Sequence, residues 1–144
     1  MKALSVFQPW ASLVAAGVKR IDTRCWRTGY RGTVAIYALD KYPQFSALNL
    51  CEMPSVRAAL AGQGIDRLGK LPLGAIVGTV ELVDCRRVED LNPMLVTPRE
   101  NLLGNYSPGR WAWVFRGAVR FRTPVAAAGG TGLWEWRGEH EHAN

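Results

Sequence analysis

Apolar residues recur along this chain at two spacings, which separate predicted helices from predicted strands. Residues 1–7 predict a first strand. After Pro9, which suits a first helical turn, three apolar side chains fall on one helical face: Trp10, Leu13 and Val14. Gly17 can take the left-handed conformation that ends a helix. The pattern therefore predicts a strand followed by one short helix.

The next segment, residues 20–24, alternates between apolar and charged positions, as an extended strand does. Ile21 and Thr23 fall on one face, and Arg20, Asp22 and Arg24 fall on the other. Lys19 stands between the helix and this strand.

Further strands are predicted at 33–39, 75–84, 110–115, 118–125 and 129–136, with a tight turn at Arg116-Gly117. One or two short helices are predicted between Pro43 and Ala61, and residues 88–108 are predicted to be irregular. Strands predominate without βαβ alternation. The sequence predicts an α+β fold, a small mixed β-barrel flanked by short helices. One domain is expected over 1–138, followed by a flexible tail at 139–144.

Charge and composition favour some classes of protein for this chain and argue against others. The net charge of +6 favours a polyanionic partner such as nucleic acid. No apolar run approaches the roughly 18 to 20 residues of a membrane span. We therefore expect a cytoplasmic protein, and a monomer because nothing signals an extended apolar interface. The three cysteines, Cys25, Cys51 and Cys85, lack metal or disulfide spacing and are predicted to be reduced core residues.

The charged strand allows two interpretations. Its charges can form a solvated face, in which ion pairs contribute little. Alternatively, Lys19, Asp22 and Arg24 can line one cleft, where the cations hold an anionic oxygen and the carboxylate contacts a base edge or activates water. Spacing alone does not decide between them.

Other candidate residues lie near the ends of predicted strands. Tyr37 and Lys41 can stack on a base and neutralise a phosphate, and Ser107 and Arg110 can supply a hydroxyl and a guanidinium. Each set also fits an ordinary strand end or turn. A basic and aromatic set suits single-stranded RNA: Trp26, Arg27, Tyr30, Arg31 and Arg110. The tryptophan pairs of WAW (111–113) and WEW (134–136) are predicted to be core or rim residues.

Several motifs in order resemble the ASCH domain family of prokaryotic or phage type: LSVFQPWASLVAAGVKRIDTRCW, YRGTVAIYA, LPLGAIVGTVELVDC, YSPGRWAWVF and GLWEW. The resemblance is strongest in Gln8-Pro9-Trp10 and in the family's G-x-K-x-x-E-x-R pattern, matched by Gly17, Lys19 and Arg24. Asp22 stands where that pattern has glutamate. The family's amidohydrolase branch usually has threonine there, so Asp22 counts against that activity.

The resemblance implies a fold similar to the PUA barrel and an RNA- or nucleotide-binding cleft beside the first helix. Known members divide among ribonuclease-like proteins, amidohydrolases acting on acetylated cytidine, and nucleic-acid-binding domains. The implied catalytic set is Lys19, Asp22, Tyr37, Lys41 and Ser107. The implied substrate-binding set is Gln8, Trp10, Arg24, Trp26, Arg27, Arg31 and Arg110.

Three hypotheses follow: a hydrolase that cleaves single-stranded RNA, a non-catalytic RNA- or nucleotide-binding module, and an amidohydrolase on N4-acetylcytidine-type nucleosides. Glu81 or Asp84 can supply a second carboxylate. No metal-ligand motif stands out and no cofactor is expected, although a ribonuclease can use a divalent metal. His140 and His142 lie in the predicted tail and receive no role.

Overall fold

The computed structural model describes residues 1–41 and 49–138 of the 144-residue chain. Within these residues the strands are β1 (Lys2–Val6), β2 (Ile21–Arg24), β3 (Gly32–Ala38), β4 (Ala75–Arg87), β5 (Trp111–Ala126) and β6 (Leu133–Glu135). The α-helices used below are α1 (Trp10–Ala15), α2 (Pro54–Ala61) and α3 (Pro98–Leu103). Short 3-10 turns lie at Leu68–Lys70, Val88–Asp90 and Pro93–Leu95.

The strands form one mixed sheet in the order β2-β5-β4-β3-β1-β6. β1 and β3 run parallel, and the other neighbours run antiparallel. The sheet curls into a half-barrel, so that Arg24 at the end of β2 donates a hydrogen bond from Nη2 to the Ser5 carbonyl of β1 at 2.5 Å. The predicted mixed β-structure with short helices is confirmed.

Helix α1 packs against the curled sheet and fixes where the chain emerges toward β2. Its Ala11, Val14 and Ala15 pack with buried residues of β1, β3, β4 and β5. Gly78 lets α1 and β5 approach β4, because a Cβ there would lie 2.4 Å from the Val119 carbonyl oxygen. The predicted end of the helix is also confirmed, since Gly17 has φ +77°.

The structure differs from the sequence prediction in the last third of the sheet. Residues 111–126 form one strand, where two strands with a turn at Arg116-Gly117 were predicted. The register of β4 against β5 shifts between Thr79 and Glu81, opposite this dipeptide, and Gly117 has φ +61°. In sequence this glycine suggests a turn. In the structure its positive φ is part of a β-bulge, and the strand continues through it.

Three other predictions concern segments beside the sheet. Residues 88–108, predicted to be irregular, contain α3. Of the predicted core cysteines, Cys51 is buried but Cys25 is exposed. Helix α2 begins at Pro54, whereas the preceding predicted helical residues 43–48 and the predicted tail 139–144 lie outside the described residues.

Candidate functional site

A cleft of about 710 Å³ opens where the two ends of the curled sheet approach each other. Five parts of the chain line it: β1 with the start of α1, the segment from Lys19 to Trp26, the residues that follow β3, the end of α3 with the following loop as far as Arg110, and the glycine-rich loop before β6. Parts distant in sequence meet here, as shown by the hydrogen bond from Ser5 Oγ to the Gly130 carbonyl at 2.7 Å, across 125 positions. The cleft is thus built by the curl of the sheet.

Lys19 forms the floor of this cleft. The turn at Gly17 is closed by the backbone N–H of Lys19, which donates to the Leu13 carbonyl at 3.1 Å. Its side chain is only 2% exposed, and Nζ lies 2.5 Å from Glu100 Oε2. Nζ also donates to the carbonyl of Ile21. A buried ammonium needs such partners, because desolvating an unpaired charge is costly.

Glu100 is the functional candidate that the sequence analysis missed. It lies in α3, whose first turn is capped by Thr97 Oγ1 accepting from the Glu100 N–H at 3.1 Å. The spacing T-x-x-E is the sequence signal of that cap. Here the carboxylate contacts Lys19 instead of closing the capping box. Sequence reveals the helix but not its partner, which is 81 positions away.

Helix α3 is held against the cleft from two sides. Trp10 Nε1 donates to the Leu103 carbonyl at 2.5 Å. The Leu103 side chain is buried in a cluster with Leu13 of α1 and with Val56 and Leu60 of α2. These contacts fix the position of Glu100, and they make Trp10 part of both the helix core and the cleft wall.

Next to this floor lies a hydroxyl without a partner. The Tyr106 hydroxyl is buried and forms no hydrogen bond with any described residue. Burial raises the pKa of Tyr106, followed by the negative charge of Glu100, by the closeness of that carboxylate to the hydroxyl, and last by the charge of Asp22. Gly104 separates this ring from Lys19, since a Cβ at Gly104 would lie 2.9 Å from Tyr106 Cε2 and 3.3 Å from Lys19 Nζ.

The β2 side of the cleft carries a second ion pair. Asp22 Oδ2 lies 2.6 Å from Arg24 Nε. The Arg24 guanidinium carbon is 5.8 Å and 5.7 Å from the ring centroids of Trp26 and Trp113. These two indole rings meet edge to face at 4.7 Å between centroids. Arg24 is therefore held by charge, by the Ser5 carbonyl and by aromatic faces.

The glycine-rich loop forms the opposite wall. Ser5 Oγ accepts a hydrogen bond from Trp134 Nε1 at 3.0 Å while donating to Gly130. A Cβ at Gly132 would lie 3.2 Å from Trp26 Cζ2, so glycine allows the loop to approach β2. The loop therefore closes one side of the cleft with backbone rather than with long side chains.

The rim of the cleft combines exposed apolar surface with cations. Phe7 is 42% exposed, Trp26 36% and Leu102 63%. Lys41 and Arg110 also line the cleft. Arg110 Nη2 donates to the Thr23 carbonyl at 2.7 Å, which directs the guanidinium along β2.

The structure brings together seven of the predicted site residues in the cleft lining: Trp10, Lys19, Asp22, Arg24, Trp26, Lys41 and Arg110. Residues that line the cleft without having been predicted include Phe7, Cys25, Leu102 and Asn105. The exposed apolar members give no periodic signal, because they lie at turns and helix ends. Their role is visible only in three dimensions.

Two of the remaining predicted residues belong to the folded interior. Gln8 is fully buried, and its Nε2 donates to Ser12 Oγ at 2.8 Å and to the Pro72 carbonyl at 2.9 Å. Tyr37 is 3% exposed and packs edge to face against Trp134. Burial, followed by the charge of Asp40, raises the pKa of Tyr37. Both residues lie outside the cleft lining, so the structure does not bring them together with the other predicted site residues.

Three further predicted residues face solvent outside the cleft lining. Ser107 Oγ donates to Asn105 Oδ1 at 2.6 Å in an exposed turn. Arg31 donates to the carbonyls of Thr28 and Tyr30, and Arg27 lies over the ring of Trp111. The structure therefore does not bring these three residues into the cleft lining.

The expected second carboxylate is also elsewhere. Glu81 accepts from Thr33 Oγ1, and Asp84 pairs with Arg86, both away from the cleft. The described residues contain no group of three or more His, Cys, Asp or Glu side chains placed to hold a metal ion. None of the helices in the described part of the chain is long and apolar enough to cross a membrane.

Comparison with known proteins identifies the family. The family model for the ASCH domain matches residues 4–121, which is most of the chain. This chain belongs to the ASCH domain family. The assignment confirms the resemblance seen in the sequence motifs, and the family is associated with RNA binding.

Two curated relatives share part of this ASCH domain. Activating signal cointegrator 1 of Homo sapiens is 39% identical over 82 residues, and its Mus musculus counterpart is 38% identical over 82 residues. In each case the match covers 57% of this chain but 14% of the relative. The chain thus spans a small fraction of the length of these relatives.

Solved structures support the fold. The crystal structure of ASCH from Zymomonas mobilis aligns with a TM-score of 0.54 at 14% identity, covering 98% of this chain and 89% of that one. A mutant of the same protein aligns with a TM-score of 0.50 at 10% identity, covering 94% and 89%. The half-barrel is therefore PUA-like, as the resemblance implied.

Proposed function

We propose that this ASCH domain binds single-stranded RNA by taking one nucleotide into the cleft. The observation that carries the proposal is the division of the cleft into a neutralised floor and a rim of exposed aromatic, aliphatic and cationic side chains. Such a division suits a nucleotide, whose base is flat and apolar on its faces and whose phosphate is anionic.

The base is assigned to the apolar part of the rim. Phe7, Trp26 and Leu102 remain 36% to 63% exposed although they line a cleft. Exposed rings in a concave site offer stacking surface for an unpaired base, and stacking tolerates every base because each has a π-face. A base in a duplex is already stacked, so this arrangement favours single strands.

The phosphate is assigned to Lys41 and Arg110. The charges of Lys19 and Arg24 are matched by their ion-pair partners, Glu100 behind the cleft lining and Asp22 within it. The net positive charge of the lining therefore comes from the two rim cations, which can contact a phosphodiester. Asp22 and the Asn105 side chain add polar groups that can contact a base edge.

The second candidate function, hydrolysis of the bound RNA, is favoured by the Lys19–Glu100 pair. An ion pair buried this deeply adds little net stability to a fold, because desolvating both charges offsets their attraction, and this favours a functional role for the pair. In this proposal the Lys19 ammonium stabilises negative charge developing on the phosphoryl oxygens, and Glu100 positions it. The same floor suits attack on the amide of an N4-acetylcytidine-type nucleoside, which is the alternative substrate.

The binding proposal is tested with fluorescent single-stranded RNA, single-stranded DNA and duplex RNA. We expect Leu102→Ala and Arg110→Gln to weaken single-strand binding severalfold. The matched controls are Met94→Ala, an exposed apolar residue of the same connection outside the cleft lining, and Arg122→Gln on the far half of β5. Equal effects of site and control variants would exclude the cleft.

The hydrolytic proposal needs a variant that keeps the fold. The double substitution Lys19→Met with Glu100→Gln removes both charges together. We expect this variant to bind RNA but not to shorten it, with and without divalent metal, while the wild type does shorten it. Turnover of an acetylated cytidine nucleoside in place of RNA would select the amidohydrolase. Binding without turnover of either substrate would leave a recognition module.

The proposal also covers the oligomeric state and the cellular location of the protein. We expect a monomer in the cytoplasm, where single-stranded RNA and reduced thiols are both found. Size-exclusion chromatography with light scattering, with and without RNA, measures the oligomeric state, and a dimer in the absence of RNA would contradict this part.

A further inference from the structure

A row of three side chains crosses the sheet next to the cleft. Trp111 of β5 lies in register with Arg24 of β2 on one side and with Arg87 of β4 on the other. Residues directly opposite each other on neighbouring strands point to the same face of a sheet. Since Arg24 lines the cleft, Trp111 and Arg87 continue the same face away from it.

Two guanidinium groups converge on this tryptophan. The guanidinium carbon of Arg87 is 5.1 Å from the Trp111 ring centroid, and that of Arg27 is 5.7 Å from it. Arg27 follows β2 and Arg87 ends β4, so two separate parts of the chain deliver the two cations. Trp111 is half-buried against the barrel core, which fixes the ring that both cations contact.

These two arginines differ from their neighbours in charge balance. Arg24 pairs with Asp22, and Arg86 pairs with Asp84 at 2.7 Å. Among the described residues, neither Arg27 nor Arg87 has a carboxylate within 4.0 Å. Two cations held at one ring, with no carboxylate of the described residues in contact, favour the binding of an anion beside them.

We propose that Arg27, Trp111 and Arg87 form a second nucleotide subsite, which binds the phosphodiester of the nucleotide next to the one in the cleft. Arg87 lies two strand spacings from Arg24, about 10 Å across the sheet. A single strand leaving the cleft would thus pass over β5. The inference rests on the proposed RNA-binding function of the cleft. It specifies the path of the bound strand, which runs from the cleft across β5 toward β4.

The test compares ligands of different length. A labelled mononucleotide and a labelled RNA of eight nucleotides are titrated against the wild type, the double variant Arg27→Gln with Arg87→Gln, and the control Arg122→Gln. We expect the double variant to bind the octamer about tenfold more weakly, with a salt slope shallower by about 0.7, since the two arginines contact one phosphate of the single strand. Mononucleotide affinity should be unchanged.

The outcomes separate this subsite from the cleft. Equal octamer affinity for the double variant and Arg122→Gln would overturn the subsite, even if Arg110→Gln still weakened binding. Equal losses for mononucleotide and octamer would also overturn it, because the arginines would then act within the cleft or on the fold. Competition by poly-glutamate as strong as that by RNA would reassign the surface to an acidic protein segment. Absence of RNA binding in the wild type would remove the proposed function itself.

Discussion

The floor and the rim of the cleft both contain cationic side chains, but the surroundings of those side chains differ. At the floor, Lys19 is buried and its ammonium contacts Glu100 and a backbone carbonyl. Beside the rim, Arg27 and Arg87 face solvent over an aromatic ring, and within the described residues neither has a carboxylate within 4.0 Å. Each of these cations adds the same amount to the net charge, but they differ in burial and in their exposure to screening by salt.

The difference follows from desolvation and screening. A buried pair is shielded from salt and stays in one geometry, but removing either partner leaves an uncompensated charge. Exposed cations cost little to leave unpaired, and mobile ions screen them over about 10 Å at moderate salt. The floor therefore suits a fixed chemical role, and the rim suits salt-dependent attraction of a polyanion.

The largest expected effect comes from removing the Lys19 side chain at the floor of the cleft. Lys19→Ala should lower the free energy of unfolding by about 3–5 kcal/mol, because Glu100 stays buried without its partner. Urea unfolding followed by circular dichroism measures this loss. Lys2→Ala, which removes an exposed contact to Glu135, is the matched control and should change stability little. Similar values for both variants would show that the Lys19 pair is not desolvated in solution.

A smaller effect is expected from crowding the floor. Gly104 has an extended backbone that alanine can adopt, but the added Cβ would approach Tyr106 Cε2 at 2.9 Å. We expect Gly104→Ala to destabilise the protein by about 1–3 kcal/mol, as overpacking of well-packed sites does. Gly69→Ala, where a Cβ meets no atom within 4 Å, is the control. A neutral Gly104→Ala would mean that the Tyr106 ring moves freely aside.

Tyr106 itself offers an effect of opposite sign. Its buried hydroxyl lies near the Glu100 carboxylate but forms no hydrogen bond of ordinary geometry with a described residue, so Tyr106→Phe should raise the free energy of unfolding by about 1 kcal/mol. The raised pKa of Tyr106 also means that only the unfolded chain ionises this phenol as pH passes about 10. Stability should therefore fall above that pH in the wild type, and less steeply in Tyr106→Phe. Destabilisation by this substitution would reveal a hydrogen bond to the hydroxyl in solution.

The smallest perturbation is chemical labelling of the thiols. Cys25 is exposed and lines the cleft, whereas Cys51 is buried and its pKa is raised by burial and then by Glu52. We expect a thiol reagent to modify Cys25 first in the native protein and Cys51 only after unfolding. Bound RNA should slow the labelling of Cys25, measured by mass spectrometry. Faster labelling of Cys51 would contradict the packing of α2.

The sequence predicted those parts of the site that short-range periodicity determines. Alternation in β2 placed Asp22 and Arg24 on one side, and Gly17 marked the turn that delivers Lys19. Alternation could not decide whether Tyr37 faces a cleft, because β3 is buried on both faces and either orientation reaches a core.

Contacts between segments that are distant in the chain could not be predicted from the sequence. The cap at Thr97 indicates a helix, but nothing in its spacing says that Glu100 reaches Lys19. At the following turn, Ser107 and Asn105 are equally polar in sequence, and only the path of the chain puts Asn105 in the lining. A bulge and a turn also use the same glycine signal, which is why the turn at Gly117 was predicted wrongly.

The connection between β4 and β5 has a consequence for how such a cleft changes over time. It supplies Glu100, Leu102 and Asn105. It is tied to the rest of the molecule by the Lys19–Glu100 pair, by the buried Leu103 with the contact from Trp10, and by Leu91, which packs with Ile21 and Ala112. Substitutions that spare those ties can alter this wall while the sheet stays intact. Exchange of this one segment can therefore change which ligand the cleft binds without changing the sheet.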